Sequence, residues 1–299
     1  MTGAPIIAAI ETGGTKLLYR VAVADGETLG EGRFETGSPG ASVARLTRAI
    51  RALVPDGRRL AAVGIASFGP VGIDPSHPSY GKVLATTKPG WSGYDLVGAI
   101  KSELEAPIVV DTDVNAAAFA EQAIGAGRGA RIVAYLTVGT GIGGGLAIDG
   151  TTFKGSPHPE IGHVRLARAP GDDIAGTCPF HADCAEGLIA GPALARRLAG
   201  TASLAKTPEL LDLAADYLAQ LCTTITLAWS PACIVVGGGV LQERDLLERT
   251  RDALALHLRG YGTVGALEPA IYLRRAALEN AGLEGALLMA RALTDHDEN

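Results

Sequence analysis

Ligand types for a soft metal ion are concentrated in residues 158–186. Cys178, His181 and Cys184 follow one another at intervals of three residues, and His163 precedes them. Thiolate sulfur and imidazole nitrogen are preferred ligands of Zn2+, and four of them form a closed tetrahedral site with no position left for a reactive water. The spacing therefore predicts a structural zinc site, in preference to a polar loop without metal or to a zinc hydrolase.

Two glycine-rich turns each connect a pair of apolar strands. They are residues 11–16, between predicted strands at 6–10 and 17–23, and residues 139–145, between predicted strands at 131–138 and 146–148. A turn that exposes backbone N–H groups, here with the hydroxyl of Thr15 and the ammonium of Lys16, can bind phosphate. An ordinary hairpin would explain either turn alone. The pair predicts an internal structural repeat that holds a polyphosphate from opposite sides.

Carboxylates and an amide lie where a third strand ends. The predicted strand at residues 108–110 leads into Asp111, Thr112, Asp113 and Asn115, and a predicted helix follows at residues 116–123. Asp and Asn are also favoured as helix N-caps, but one cap would be enough. Three such side chains at the carboxyl end of one strand therefore predict a site.

Two further strand ends are glycine-rich. The predicted strand at residues 60–66 leads into Ser67-Phe-Gly69-Pro70, and the one at 234–236 leads into Gly237-Gly-Gly239. Loops of this kind commonly line the ligand face of an α/β sheet, although ordinary turn chemistry is an alternative at Gly69.

The elements around these motifs alternate between strands and helices. Apolar residues at helical spacing predict helices after an N-cap at Ser42, at 187–198, 208–229, 241–258 and 283–293, and around Leu96–Leu104, with a last strand at 271–273. This alternation predicts an α/β fold.

Composition excludes several classes of protein. The chain has 299 residues, a net charge of -6 and no basic cluster, which argues against a nucleic-acid partner. No apolar stretch of about 18 residues and no basic segment followed by an apolar run occurs, so we expect neither membrane insertion nor secretion. Two of the four cysteines are assigned to the metal and Cys222 and Cys233 to the core, so we expect a reducing cytoplasm.

Taken together, these residues resemble the ROK family of sugar kinases. The matching motifs are ETGGTK at 11–16, DTDVNAAAFAE at 111–121, VGTGIGGG at 138–145, E-x-G-H at 160–163, the cluster ending in CAEG, and PACIVVGGGV at 231–240. The segments HPEIGH and CPFHADC resemble the bacterial fructokinase branch. The commoner family pattern has three cysteines; here Phe180 stands where the middle one would be, and His181 can take over as ligand. Thr112 stands where many relatives carry asparagine, which affects one sugar hydroxyl contact.

The resemblance implies a fold and an assembly. It implies a two-domain actin-like, ribonuclease-H-like ATPase fold of the α/β class. Residues 1–112, completed by the C-terminal helix at 283–299, would form the first domain, and residues 113–282 a larger domain with the zinc loop. A homodimer is expected by the same comparison.

The activity implied is ATP-dependent phosphorylation of D-fructose at the 6-hydroxyl, giving fructose 6-phosphate and ADP. A glucokinase or mannokinase of the same family is an alternative. A sugar-responsive regulator is a poorer one, because such proteins carry a DNA-binding domain before the hairpin, which here begins at Ile6. A catalytically silent sugar-binding protein is expected to lack the carboxylate of Asp113.

The resemblance also assigns roles to single residues. Asp113 is expected to be the catalytic base, kept ionised by backbone donors. The phosphates with Mg2+ are expected at Gly13, Gly14, Thr15, Lys16, Gly139, Thr140 and Gly141, and the adenosine side at Gly238 and Gly239. Sugar contacts are expected from Gly69, Asn115, Glu160, His163 and Glu186, although a solvated carboxylate would explain Glu160 or Glu186.

Overall fold

A five-stranded sheet carries the first glycine turn. The computed structural model describes residues 4–198, 200, 203–261 and 268–296. The strands are β1 (Ile6–Thr12), β2 (Lys16–Val23), β3 (Thr28–Glu35), β4 (Leu60–Ser67) and β5 (Ile108–Thr112), in the spatial order β3-β2-β1-β4-β5. β1 pairs with β2 antiparallel and with β4 parallel, and β5 is parallel to β4. The sequence did not predict β3, because this edge strand contains two glycines and buries none of its residues fully.

Helices cover both faces of this sheet. They are α1 (Pro39–Arg51), α2 (Leu96–Leu104), α3 (Asp113–Ile124) and α9 (Ala281–His296). Successive residues of a strand point to opposite faces. Accordingly, Ala8 and Ile10 of β1 belong to the core cluster that contains α1 and α2, whereas Ile7 and Ala9 belong to the cluster that contains α9.

The N-cap predicted for α1 is wrong. The helix begins at Pro39 after Ser38, because proline is favoured in the first turn, where its missing N–H is not needed. Ser42 is buried one turn later, and its hydroxyl accepts a hydrogen bond from the N–H of Gly37 at 3.0 Å.

A second sheet repeats the arrangement of the first. Its strands are β6 (Ile132–Val138), β7 (Ile142–Ile148), β8 (Thr151–Thr152), β9 (Cys233–Gly237) and β10 (Leu273–Arg275), in the order β10-β9-β6-β7-β8. β6 pairs antiparallel with β7 through the second glycine turn and parallel with β9. This matches the pairing of β1 with β2 and β4, so the repeat predicted from the two glycine hairpins is confirmed.

Five helices accompany the second sheet in the described part of the chain. They are α4 (Ala185–Ile189), α5 (Gly191–Leu198), α6 (Pro208–Trp229), α7 (Arg244–Leu258) and α8 (Pro269–Tyr272). The long apolar helix α6 supplies the largest share of this core, including Leu218, Leu221 and Ile225. Among the described residues, no helix combines the length and the apolar character needed to span a membrane.

Three predictions about these helices and strands are wrong. The helix predicted at 187–198 is broken at Ala190, because the N–H of Gly191 donates to Gly139 at 2.7 Å instead of continuing α4. The helix predicted at 241–258 starts at Arg244, after a short 3-10 turn. Residues predicted as a strand at 271–273 are mostly in α8, since Pro269 favours a helical first turn, and the strand follows as β10.

The chain forms two compact units. The first comprises the described residues up to Ala120, Thr152–Pro159 and Leu278 onward; the second comprises Glu121–Thr151 and Glu160–Ala277. The domain boundary predicted at residue 113 lies earlier in the chain and does not separate residues 152–159. A boundary inside a helix such as α3 leaves no break in composition that a sequence could reveal.

Candidate active site

The first glycine turn is fixed by its own backbone and by Thr36. The N–H of Gly13 donates to the carbonyl of Lys16 at 2.8 Å, and a Cβ on Gly13 would lie 2.8 Å from that oxygen, so only glycine fits. Thr36, directly after β3, donates from its hydroxyl to Gly13 at 2.8 Å and from its N–H to Thr15 at 3.0 Å. Gly14, Thr15 and Lys16 are exposed on this braced turn.

Glu11 lies at the end of β1, just before this turn. Burial raises the pKa of its carboxyl, while Lys16 and the N–H of Leu283 lower it. Its Oε2 is buried and has no hydrogen-bond partner among the described residues. A buried carboxylate oxygen is costly unless a cation or a proton compensates it. Glu11 was not predicted as a site residue from the sequence, although its place at a strand end before a predicted phosphate-binding turn was a usable signal.

Asp113 is the first residue of α3 and directly follows β5. It is partly exposed, and its Oδ1 accepts the N–H of Val114 at 2.9 Å. Burial of the carboxyl and the charge of Glu11 raise its pKa to about 7, against the opposing effects of the Val114 N–H and of Lys88. The expectation that backbone donors keep this group fully ionised is therefore wrong, because burial outweighs them. A base whose pKa is close to the working pH is well suited to accept a proton.

The residues next to Asp113 form a buried hydrogen-bond network. Asp111 and Asn115 are each 1% exposed, and the carboxylate of Asp111 accepts hydrogen bonds from Thr152 at 2.6 Å, Asn115 at 2.8 Å and the Thr112 N–H at 2.7 Å. The Asn115 amide also donates to the carbonyl of Phe153 at 2.9 Å. The Thr112 hydroxyl accepts the N–H of Asn115 at 3.1 Å, as an N-cap does. Thr112 and Asn115 thus hold the start of α3, and a sugar contact by Asn115 stays a prediction.

Gly69 lies in the loop that follows β4, as the strand assignment predicts. The loop is held on both sides: the N–H of Phe68 donates to Thr12 at 2.9 Å, and the N–H of Val71 donates to Nε2 of His158 at 3.2 Å.

The second glycine turn contacts the helices that follow the metal cluster. The N–H of Gly139 donates to Gly141 at 2.9 Å, and the N–H of Gly191 donates to Gly139 at 2.7 Å. Oε2 of Glu186 accepts the N–H of Ile142 at 3.0 Å, and a Cβ on Gly141 would lie 2.6 Å from that oxygen. One oxygen of the predicted sugar ligand Glu186 is therefore bonded to the predicted nucleotide turn.

Gly238 follows β9 where the backbone passes close to β6. Its φ of +95° and the 2.4 Å between a Cβ at this position and the carbonyl oxygen of Val138 both require glycine. Gly238 and Gly239 are exposed and lie next to the strand end that precedes Gly139. Their contact with adenosine stays a prediction.

The four predicted metal ligands come together in the second unit. Their donor atoms all lie within 4.8 Å of one another. Nδ1 of His163 lies 3.7 Å from the sulfurs of both Cys178 and Cys184, and Nδ1 of His181 lies 3.9 Å from that of Cys178. In a tetrahedral zinc site with ordinary bond lengths, nitrogen and sulfur ligands are about 3.6 Å apart. The donor types and their separations therefore fit Zn2+.

The comparisons with known proteins decide the family. The family model described as ROK family matches residues 7–293. This chain belongs to the ROK family. A fructokinase from Pediococcus pentosaceus is 37% identical over 96% of this chain and 98% of its own length, and a fructokinase from Zymomonas mobilis is 36% identical over 96% and 97%. A ROK family glucokinase from Streptomyces griseus, solved with glucose and AMPPNP, is 26% identical with a TM-score of 0.76, over 96% and 99% of the two chains. The actin-like ATPase fold expected from the resemblance is confirmed.

The candidate metal ligands of this ROK protein include two histidines. His181 lies among the four clustered side chains, as it must if it replaces a cysteine of the commoner family pattern, and that replacement stays a prediction. Phe180, next to it, is 68% exposed and takes no part in the cluster. Burial raises the pKa of the Cys184 thiol, so a metal ion would be needed to hold it as thiolate.

A buried ion pair at Asp172 holds the long spacer between His163 and Cys178. The Asp172 carboxylate accepts hydrogen bonds from Arg197 at 2.5 Å and from the Tyr217 hydroxyl at 2.5 Å. The Asp172 and Arg197 side chains are only 4% and 3% exposed. Burial raises the pKa of Asp172, but the bonds from Arg197 and Tyr217 outweigh it and lower the pKa. This ion pair was not predicted from the sequence, because its members are 25 residues apart along the chain.

Proposed function

We propose that this chain is an ATP-dependent fructokinase, which phosphorylates D-fructose at the 6-hydroxyl to give fructose 6-phosphate and ADP. The relatives named fructokinase, at 34–37% identity, support the choice of sugar. The Asp113 carboxyl is the main observation in favour of a kinase reaction. It is partly exposed at a strand end, and its pKa is about 7. A kinase needs such a group to take the hydroxyl proton.

In the proposed reaction, the 6-hydroxyl oxygen attacks the γ-phosphorus. The new O–P bond forms while the bond to the β–γ bridging oxygen breaks, and the electron pair leaves with ADP. The hydroxyl proton passes to Asp113. The braced turn of Gly13, Gly14 and Thr15 would bind phosphate oxygens in the first unit, and Gly139, Thr140 and Gly141 would do so in the second.

Glu11 is the proposed holder of Mg2+. Its unpartnered, buried Oε2 offers the hard oxygen ligand that this ion prefers, directly or through a water molecule. Bound Mg2+ would neutralise charge on the β- and γ-phosphates. Its presence would also offset the charge of Glu11 that raises the pKa of Asp113.

The sugar contacts are proposed separately for each unit. In the first, they are Gly69, in its doubly held loop, and Asn115. In the second, they are Glu160, His163 and Glu186, which flank or belong to the metal cluster. Zinc bound by His163, Cys178, His181 and Cys184 would have a structural role, since it fixes the segments that carry these side chains.

A coupled assay with ATP and Mg2+ tests the proposal across fructose, glucose, mannose and N-acetylmannosamine. Fructose is expected to give the highest kcat/KM. A preference for glucose would favour a glucokinase, an alternative supported by the 26% identity to the Streptomyces griseus enzyme. Phosphorylation of none of these sugars would contradict a kinase function and favour a regulator. The proposed homodimer is tested by light scattering of the same preparation.

A further inference from the structure

The segment that carries Lys88 is anchored by a buried tryptophan. Trp91 is 2% exposed, its indole N–H donates to the carbonyl of Gly37 at 3.1 Å, and its ring meets Phe68 edge-on at 5.2 Å between centroids. The N–H of Trp91 donates to the carbonyl of Lys88 at 3.2 Å. The backbone of Lys88 is therefore fixed one turn away from the anchor.

The side chain of Lys88 has a defined direction. Its Nζ lies 4.0 Å from the centroid of the Phe68 ring, and Phe68 itself is 4% exposed. A cation over an aromatic face is attracted by the ring quadrupole, more strongly when water is partly excluded. The Cε of Lys88 lies 3.1 Å from the position that a Cβ on Gly14 would occupy. The lysine therefore passes directly over the backbone of the exposed glycine turn.

Lys88 also acts on the proposed base. Its positive charge lowers the pKa of Asp113, in opposition to burial and to Glu11. The packing of its Cε against Gly14 keeps the same side chain at the turn. The charge of Lys88 thus acts on the proposed proton acceptor from a side chain that lies over the proposed phosphate-binding backbone.

We propose that the Lys88 ammonium contacts the γ-phosphoryl group during transfer and stabilises the charge on its equatorial oxygens. The inference rests on the proposed function, since it needs ATP at the Gly13–Lys16 turn. Lys88 keeps its three protons throughout: the proton of the sugar hydroxyl goes to Asp113 and the electron pair of the broken bond to ADP. Fixed cations aimed at developing charge cost little reorganisation, which is why they are effective in phosphoryl transfer.

Lys16 differs from Lys88 in how its side chain is held before ATP binds. It is exposed, and the structure uses its backbone carbonyl to close the turn. Ordering an exposed lysine side chain on a phosphate costs conformational entropy. Lys88 is held in advance by Phe68 and Trp91.

The test compares Lys88→Met with Lys88→Arg and with Lys101→Met, a control on the exposed face of α2. Lys88→Met keeps the length and the apolar stem but removes the charge. We expect its kcat to fall on the order of 100-fold or more, with Lys88→Arg partly active and Lys101→Met unchanged. Affinity for a non-hydrolysable ATP analogue should fall, while affinity for ADP, which lacks the γ-phosphoryl group, should be kept.

A second readout separates this role from a structural one. The acidic limb of the pH profile of kcat/KM should move to higher pH in Lys88→Met, because Asp113 loses a charge that lowers its pKa. Unchanged turnover, or equal weakening of ADP and the analogue, would overturn the proposal. A rise in the KM for sugar alone would do so too, and would make Lys88 a sugar ligand. If the wild-type chain phosphorylates no sugar, the proposed function fails, and the comparison of ADP with the analogue still decides whether Lys88 contacts the γ-phosphoryl group.

Discussion

The pKa of the Asp113 carboxyl depends on the charges of Glu11 and Lys88, which are distant from it in sequence. The sequence identifies Asp113, because three polar side chains at one strand end are more than a helix cap requires. It does not identify Glu11 or Lys88 as its neighbours, since only the parallel pairing in the sheet and the Trp91 anchor bring them close. Residue types at strand ends are therefore predictable, whereas the pKa values that result are not.

Replacing Asp113 by Asn removes the proposed proton acceptor and keeps the size of the side chain. We expect kcat to fall on the order of 100-fold or more, with the affinities for sugar and nucleotide near those of the wild type. Isothermal titration and the coupled assay measure the two effects. Undiminished turnover would show that another group accepts the proton.

The pKa of about 7 predicts a pH dependence for the free enzyme. The proposed mechanism requires ionised Asp113, so kcat/KM should be full above this pKa and should be lost as the pH falls through about 7. Glu11→Gln removes a negative charge that raises the pKa of Asp113, so the acidic limb should move to lower pH even if the rate also falls. The position of the limb, measured in several buffers, checks the assignment. A limb that stays in place would contradict the coupling of the two carboxyls.

At the level of elements, the loop from His163 to Cys184, which would hold the proposed zinc ion, has two independent supports. The cluster fixes its ends at His163 and at Cys178–Cys184, while the Asp172–Arg197 pair holds the spacer against α5 and α6. The sequence predicted the first support, because cysteine and histidine are rare and their spacing is regular. It could not predict the second, since aspartate and arginine are common and their pairing depends on the fold.

Cys178→Ala should release the metal and loosen the segments that carry Glu160 and Glu186. We expect a zinc content near zero, faster proteolysis within residues 160–186 and a higher KM for the sugar, because the loop loses its fixed ends. Metal analysis by plasma mass spectrometry and limited proteolysis measure these changes. A wild-type protein purified without zinc, yet fully active, would contradict the structural role of the metal.

Asp172→Ala should destabilise the second unit without removing zinc. Arg197 would be left buried and uncompensated, which costs about 3 kcal/mol in the free energy of unfolding. Urea denaturation measures the loss, and metal analysis should show the same zinc content as the wild type. Arg131→Ala, which breaks the exposed Arg131–Asp149 pair, is the control and should change stability very little. Similar losses of unfolding free energy in both variants would contradict the claim that burial makes the Asp172–Arg197 pair important for stability.

At the scale of the whole molecule, the two sheets share one plan, in which a glycine hairpin is followed by a parallel strand. The sequence revealed this repeat through its two glycine turns, and the periodicity of apolar residues located most strands. The edge strand β3 was missed, because it contains two glycines and buries none of its residues fully. The break between α4 and α5 was missed, because it depends on the hydrogen bond from Gly191 to Gly139 in the second glycine turn. Thr36, directly after β3, contacts the first glycine turn in a similar way.

Glu186 would couple the two ligands of the proposed reaction thermodynamically. Its Oε2 accepts the N–H of Ile142 at the proposed nucleotide turn, while the same carboxylate is a proposed sugar ligand. If binding of one ligand changes the geometry of this side chain, it changes the affinity for the other ligand, and linkage requires the two coupling factors to be equal. Saturating ADP should therefore alter the Kd for fructose by the same factor by which saturating fructose alters the Kd for ADP. In Glu186→Gln, which weakens the bond to the turn, that common factor should move closer to one, as titration calorimetry can measure.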